Sequence, residues 1–169
     1  MDESSRSSTR LICVVRQPRF ADFDRMANLA GQLGYPSSRR QIQARLNGMM
    51  HSDQHAVFVA ELSAGDIGGW IGVFVQRSVE MDDHAVISGL VVDQNTRCCG
   101  IGKMLLHAAA EWAMNNGCRA ITVSSNVQRD RAHQFYLNNG FEQVKIQIVF
   151  RKSLNSDFLP GSLVNSEEA

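Results

Sequence analysis

The 169-residue sequence has little of the chemistry that marks a metal centre, a disulfide scaffold or a membrane span. Its four cysteines form no C-x-x-C pair, and no cysteine–histidine cluster has the spacing of a zinc site. The 17 basic and 17 acidic residues give no net charge, which argues against a general nucleic-acid or membrane-surface binder. No apolar run approaches the roughly 20 residues of a membrane span. We therefore expect no metal, no nucleic acid and no membrane among its partners.

The cysteines and the chain ends indicate the compartment and the domain limits. A bridge between the adjacent Cys98 and Cys99 would close a strained ring, so reduced thiols and a cytoplasmic location are expected. Residues 1–8 are polar and lack the apolar core of a signal peptide, and residues 155–169 mix Ser, Pro, Gly and acids. We predict two flexible tails, 1–8 and 155–169, around one domain at 9–154.

Hydrophobic periodicity predicts an α/β (α+β) fold with one mixed central sheet flanked by helices. Apolar or alternating runs predict strands at 11–15, 57–62, 67–76, 85–92, 120–124 and 144–150. Helical spacing predicts helices at 20–33, from Ser37 or Ser38 to about Met49, from Ile101 to near residues 115–117, and at 130–139. The order is β-α-α-β-β-β-α-β-α-β, and the second and third strands form a hairpin across residues 63–66.

The turn at residues 97–103 (the 97–103 turn) joins an apolar strand to the start of a helix. Free N–H groups and the helix dipole make such a position suitable for an anion. Gly100 and Gly102 allow the backbone to approach a phosphate closely, while Arg97 and Lys103 add positive charge. The plainer alternative is a tight strand–helix connection that needs glycine only for its backbone angles. The glycine spacing fits neither a P-loop nor a dinucleotide fingerprint.

Two spaced motifs carry a more specific signal than the turn alone. The first is [QR]-x-x-G-x-[GA], filled by Arg97, Gly100 and Gly102 between the stretches ISGLVVDQNT and KMLLHAAAEWAMNNG. The second is VSSNVQRDRAHQFYLNNGF at 123–141, which looks like N-x-x-x-x-x-A-x-x-F-Y-x-x-x-G-F. Together, over about residues 85–152, they resemble the GNAT superfamily of acetyl-CoA-dependent N-acetyltransferases.

This resemblance implies an enzyme that transfers an acetyl group from acetyl-CoA, its co-substrate, to a primary amine of a small molecule or peptide by direct attack. It implies that Tyr136 faces the thioester sulfur and protonates the departing thiolate. The residues implied to bind the coenzyme are Leu90, Val91 and Val92 for pantetheine, Arg97, Cys98, Cys99, Gly100, Ile101, Gly102 and Lys103 for pyrophosphate, and Asn126. Members of the family often dimerise, which leaves a homodimer open.

Several candidates keep plainer alternatives. Tyr136 also fits ordinary core packing at helical spacing, and only the backbone of the two adjacent cysteines is expected to matter. The acidic run at residues 80–83 is either a solvated loop or an electrostatic lure for a cationic amine. Polar residues at 51–55 are weak evidence for an acceptor groove. Ser88 stands where many relatives carry glutamate, so the base is unassigned. An acetyl-CoA-binding sensor or regulatory module with weak catalysis is therefore the alternative function.

The zero net charge is a sum of unlike parts. Residues 1–93 carry nine basic and eleven acidic groups, whereas residues 94–152 carry eight basic and only three acidic groups. The segment expected to hold the polyphosphate coenzyme is therefore the basic one.

Overall fold

The structure is a computed structural model that describes residues 13–49, 51–63 and 65–154. Its strands are β1 (Cys13–Arg16), β2 (His55–Leu62), β3 (Ile67–Gln76), β4 (His84–Val92) and β5 (Ile121–Val123). Its helices are α1 (Phe23–Leu33), α2 (Arg39–Met49), α3 (Ile101–Asn115) and α4 (Asp130–Leu137). The predicted tails, 1–8 and 155–169, and the first two residues of the predicted first strand lie outside the described residues.

Local hydrogen bonds set the ends of the first two helices. The α2 helix begins with a capping box, in which the Gln41 side chain accepts the Ser38 N–H at 2.8 Å and the Ser38 hydroxyl accepts the Gln41 N–H at 3.3 Å. The α1 helix ends at Gly34, whose φ of 97° is left-handed. It begins three residues later than predicted, because residues 20–22 form a 3-10 turn in which the Asp22 carboxylate accepts the Arg19 N–H at 2.6 Å.

The five strands form one sheet in the order β1-β2-β3-β4-β5. The first four strands are antiparallel neighbours, and β5 runs parallel to β4 after the α3 crossover. The predicted hairpin between β2 and β3 is confirmed, since the Leu62 N–H donates to the Asp66 carbonyl at 2.8 Å. The mixed α/β class is confirmed as well.

Helices cover both faces of this sheet. Side chains of adjacent strand residues point to opposite faces, so Val59 packs beneath α1 and α2 while Ala60 packs beneath α3. Leu29 of α1 and Leu105 of α3, one on each side, are completely buried. Two apolar layers therefore fix the sheet between the helices and hold the carboxyl end of β4 in place.

The predicted sixth strand at residues 144–150 is wrong for this structure. Residues 142–154 have no regular secondary structure, and Val144, Ile146 and Ile148 are 80%, 74% and 81% exposed. Alternation specifies which face a strand would bury, but a strand forms only when a neighbouring strand pairs with it. No described strand pairs with this segment. Among the described residues, no helix is long and apolar enough to cross a membrane.

Candidate functional site

A gap opens between β4 and β5 halfway along β4. The two strands pair only where residues 85–87 lie beside residues 121–123. From residue 89 to residue 92, β4 pairs with β3 but has no strand on its other side within the described chain. A stretch of β4 backbone therefore lies open to an extended ligand.

Ser88 forms a β-bulge at the start of this gap. On β4 the pairing with β3 passes from Ile87 directly to Gly89, so Ser88 is an extra residue without a partner, and it is exposed. The extra residue shifts the alternation by one position. Ile87 packs against the α3 side of the sheet before the bulge, and Leu90 packs there after it.

The hydrogen-bond ladder determines which β4 backbone groups face the gap. The Asp93 N–H donates to a β3 carbonyl at 2.8 Å, so by alternation the N–H and C=O of Val91 also face β3. The same groups of Leu90 and Val92 face the gap. The Val92 carbonyl accordingly lies 3.4 Å from Nε of Arg97 in the following turn. Leu90 and Val92 can therefore donate and accept in the gap.

The 97–103 turn ends the gap and leads into α3. Cys98 and Gly100 have left-handed backbones, with φ of 66° and 82°. The first hydrogen bond of α3 runs from the Met104 N–H to the Gly100 carbonyl at 3.1 Å. Within the described chain the three preceding N–H groups, at 101–103, have no acceptor. The turn therefore presents a set of unpaired donors at the positive end of a helix.

Gly102 allows α3, β4 and α4 to meet at one point. A Cβ atom at Gly102 would lie 3.1 Å from the Phe135 ring of α4 and 3.6 Å from Cγ2 of Val92. A side chain here would require the Phe135 ring to shift by a few tenths of an ångström. Gly102 therefore permits this close packing, while Gly100 is favoured by its left-handed backbone angle and has open space around it.

A buried carboxylate braces the beginning of this turn. Asp93 is 2% exposed, and its side chain accepts the Asn95 N–H at 2.7 Å and a hydrogen bond from Nη2 of Arg25 on α1. Nearby, the Gln94 N–H donates to the Gln32 side chain of α1 at 3.1 Å. The Asn95 N–H, and after it the Arg25 guanidinium, hold the pKa of Asp93 below its ordinary value.

Sequence reasoning missed this brace. The turn-forming pattern Asp93-Gln94-Asn95 immediately after an apolar strand is a signal that could have found the Asp93 side-chain turn. The link to Arg25 spans 68 residues of sequence, and no local pattern specifies it.

Tyr136 lies on α4 between two aromatic rings. Its ring centroid is 5.3 Å from those of Phe135 and Phe141, and the side chain is half-buried. Burial raises the pKa of Tyr136, with the nearby Arg129 acting in the opposite direction. The hydroxyl has no hydrogen bond to another described residue and stays protonated at neutral pH. It therefore has the protonation state that a proton donor needs.

Hydrogen bonds of Asn126 and Arg129 hold the loop that leads into α4. The Asn126 side chain accepts the Gln128 N–H at 2.9 Å, and its carbonyl lies 3.0 Å from Nε2 of His133. Nη2 of Arg129 donates to the Leu33 carbonyl at the end of α1 at 2.7 Å. The Arg129 bond therefore joins the amino end of α4 to the carboxyl end of α1, and the two Asn126 bonds hold the loop that leads into α4.

Other candidates from the sequence lie elsewhere. The acidic run at 80–83 precedes β4, so its last residue is at least five strand steps from Ser88, about 16 Å. Within it, Asp83 forms an exposed ion pair with Arg77 at 3.2 Å. His55 stacks on Phe74 at the same end of the sheet. Both groups lie at the amino end of β4, whereas the 97–103 turn follows the carboxyl end of that strand.

Comparison with known proteins agrees with the two motifs. A model of the acetyltransferase (GNAT) family matches residues 23–141. The uncharacterized N-acetyltransferase YhdJ of Bacillus subtilis (strain 168) is 32% identical over 92 residues, which are 54% of this chain and 64% of YhdJ. The aminoalkylphosphonate N-acetyltransferase of Salmonella typhimurium (strain LT2) is 29% identical over 147 residues, 82% of this chain and 90% of that protein.

A solved structure has the same fold. The aminoglycoside N-acetyltransferase AAC(6')-Iy in complex with CoA superimposes with a TM-score of 0.75 at 21% identity, over 85% of this chain and 97% of that chain. The family model covers well over half of the chain and includes both motifs, which confirms the resemblance. The chain therefore belongs to the acetyltransferase (GNAT) family.

Proposed function

We propose that the protein is an N-acetyltransferase that transfers the acetyl group of acetyl-CoA to a primary amine by direct attack. One observation supports this most strongly. The open backbone of β4 leads within five residues into a turn with unpaired N–H donors. An extended arm followed by a pyrophosphate, the two parts of CoA nearest the thioester, requires these two surfaces in this order.

The coenzyme residues follow from this arrangement. Leu90 and Val92 pair with the pantetheine amides, and Val91 supports them by holding β4 to β3. Arg97, Cys98, Cys99, Gly100, Ile101, Gly102 and Lys103 surround the pyrophosphate. Asn126 contributes the side-chain NH2 that its own turn does not use. The excess of basic residues at 94–152 attracts the polyphosphate.

The chemistry forms one C–N bond and breaks one C–S bond. The neutral amine attacks the thioester carbonyl carbon, and the N–H of Leu90, the gap-facing group nearest Ser88, stabilises the oxyanion that forms. When this intermediate collapses, the C–S bond breaks and Tyr136 protonates the CoA thiolate. Ser88 is too weak a base to keep the amine's proton, so its exposed hydroxyl holds a water through which the proton passes to bulk solvent.

The acceptor is a small molecule or peptide that carries a primary amine. The relatives named for aminoalkylphosphonates and aminoglycosides act on compounds that have amino groups. The acceptor approaches beside Gly89, where Leu33 of α1 and the Trp70 ring line the sheet. The described cysteines are all free thiols, which supports a reducing compartment such as the cytoplasm.

Ser88 supports a second candidate function. Without a carboxylate at this position, the chain would bind acetyl-CoA and turn over slowly, as a sensor or regulatory module. Thiol release measured with a panel of primary amines, beside calorimetric binding of CoA, separates the two functions. Binding together with turnover supports the enzyme, and binding without turnover of any amine supports the module. An undetectable interaction with CoA would contradict both.

A further inference from the structure

Arg129 lies at the end of the gap where β4 first opens. Its Nη2 donates to the Leu33 carbonyl at 2.7 Å, and Cδ2 of Leu33 would lie 3.6 Å from a Cβ atom at Gly89. Gly89 is the first β4 residue that pairs with β3 beyond the Ser88 bulge. Arg129 therefore contacts a residue that lines the proposed approach of the acceptor.

The guanidinium of Arg129 is exposed, and most of its N–H donors are unused. Among the described residues it donates to the Leu33 carbonyl alone and forms no ion pair. Asp130 is the nearest acid in sequence, but it stands in the first turn of α4, where a carboxylate compensates the positive end of the helix. The charge of Arg129 can therefore bind an anionic group of a ligand.

Arg129 also acts on the proposed proton donor. Tyr136 follows it by seven residues, about two helical turns, so both lie on one side of α4. Burial, the larger effect, raises the pKa of Tyr136, and the charge of Arg129 acts to lower it. The guanidinium is therefore close to the reacting end of the gap.

The phosphates of the coenzyme do not account for a cation at this position. From Gly89 to Val92, β4 runs for about 10 Å before the 97–103 turn begins. Solvent and salt screen most of the interaction between exposed charges over such a distance, which is close to the Debye length of about 8 Å. The proposed pyrophosphate site also has cations of its own, Arg97 and Lys103. The charge of Arg129 therefore acts on the acceptor.

The same charge disfavours an acceptor with a second ammonium group. The acidic run at 80–83 lies at the amino end of β4, away from the 97–103 turn. The buried carboxylates Asp22 and Asp93 are paired with arginines of the chain itself. A polycationic amine would therefore be repelled by Arg129 at the reacting end.

Given the proposed acetyl transfer, on which this step rests, we propose that the acceptor is a primary amine that also carries an oxyanion, which Arg129 binds. A guanidinium recognises the oxygens of a carboxylate or a phosphate group through paired N–H···O bonds. The anion held at Arg129 fixes the position of the acceptor beside Leu33 and Gly89. Its amino group then lies at the Ser88 bulge, where the thioester is attacked.

Thiol release with matched pairs of amines tests this specificity. β-Alanine is compared with its uncharged counterpart β-alaninamide, O-phosphoethanolamine with ethanolamine, and putrescine supplies a second cation. We expect kcat/KM for one anionic amine to exceed that of its counterpart by about 10- to 100-fold, the range for a hydrogen bond to a charged group. The larger of the two ratios distinguishes a carboxylate from a phosphate. Putrescine should be the poorest acceptor.

Two variants separate anion binding from a purely structural role of Arg129. Arg129→Gln should reduce the ratio within each pair to near one, whereas loss of the bond to α1 alone would affect both members of a pair equally. Arg45→Gln is the matched control, because Arg45 is also exposed and donates to Ser37 Oγ in the loop between α1 and α2, at 2.8 Å. Its ratios should stay within a few-fold of wild type.

Equal kcat/KM within both pairs, a preference that survives Arg129→Gln, or putrescine as the best acceptor would overturn the anion site and leave the acetyltransferase function standing. If no amine is turned over, calorimetric titration of β-alanine and O-phosphoethanolamine in the presence of CoA makes the same comparison through Kd. Binding that Arg129→Gln weakens at least tenfold would support the anion site without catalysis. Undetectable binding of both compounds would overturn it.

Discussion

At the scale of single residues, Tyr136 combines a protonated hydroxyl with a rigid aromatic setting. Its raised pKa keeps the proton in place through neutral pH, and the two flanking rings restrict the side chain. A group that donates a proton only as the C–S bond breaks stabilises the transition state more than it stabilises the complex with bound coenzyme. Removing its hydroxyl should therefore affect turnover more than coenzyme affinity.

For Tyr136→Phe we expect kcat to fall by about 10²- to 10⁴-fold while KM for acetyl-CoA stays within a few-fold. Steady-state thiol release with the best amine of the panel measures both constants. The matched control is Tyr35→Phe, since Tyr35 is the other tyrosine and is 67% exposed. Unchanged kcat in the Tyr136 variant would leave the thiolate to be protonated by water.

Asp93 differs from the proposed proton donor Tyr136, because Asp93 contacts the turn and not the proposed reacting atoms. Asp93→Asn keeps one acceptor oxygen but loses the charge opposite Arg25. We expect the free energy of unfolding to fall by about 1–3 kcal/mol. KM for acetyl-CoA should rise more than kcat falls, because the 97–103 turn loses its support. Urea unfolding and steady-state kinetics measure these effects.

Asp66→Asn is the control for this residue. Asp66 also pairs with Arg25, at 3.3 Å, but its side chain is 56% exposed. Exposed pairs contribute about 0–1 kcal/mol, so this variant should unfold close to the wild-type denaturant midpoint. Equal destabilisation by the two substitutions would mean that the Arg25 charge, rather than the buried Asp93 contact, stabilises the turn.

At the scale of elements, the contact between α3 and α4 through Gly102 positions the turn. Gly102→Ala adds a methyl group 3.1 Å from the Phe135 ring, so either α3 or the ring must move. Overpacking of this kind costs about 1–3 kcal/mol, and we expect the Kd for CoA to rise by about tenfold. Isothermal titration calorimetry measures the change.

Gly48→Ala provides the matched comparison inside a helix. Gly48 lies in α2, and a Cβ atom there would meet no atom within 4 Å outside the backbone of its own helix. Alanine should therefore stabilise the protein by about 0.5–1 kcal/mol through helix propensity. Coenzyme affinity should not change. Tighter CoA binding by the Gly102 variant would indicate that this glycine has no packing role.

The sequence predicted most elements because their signals are local. The α3 helix begins at Ile101 and ends at Asn115, within the predicted end at residues 115–117, since a glycine turn begins it and its apolar period ends beside Gly117. The wrong sixth strand had an equally good local pattern, but pairing depends on a neighbour that the pattern does not specify. The Ser88 bulge has the same origin, because a bulge is defined by the register of two strands.

At the scale of the whole molecule, most of the candidate site lies in the part of the chain that has an excess of basic residues. The basic segment at 94–152 includes the turn and both motifs, whereas the acidic residues concentrate in the segment before it. Composition alone predicted this division. It did not predict that arginines of the first half, Arg16 and Arg25, pair with buried carboxylates and thereby take part in folding stability.

These buried pairs predict how stability depends on pH. Burial raises the pKa of Asp22, but the hydrogen bonds from Arg16 and Arg19 outweigh this, so the pKa of Asp22 is lowered, as is that of Asp93. A carboxylate whose pKa is lower in the folded state stabilises the fold fully at pH values above its unfolded pKa of about 3.9. This stabilisation is lost as the pH falls through the pKa of the folded state. We expect the urea midpoint to drop steeply below about pH 4, and less steeply in an Asp22→Asn, Asp93→Asn double variant. A main drop between pH 5 and 7 would instead implicate histidine protonation.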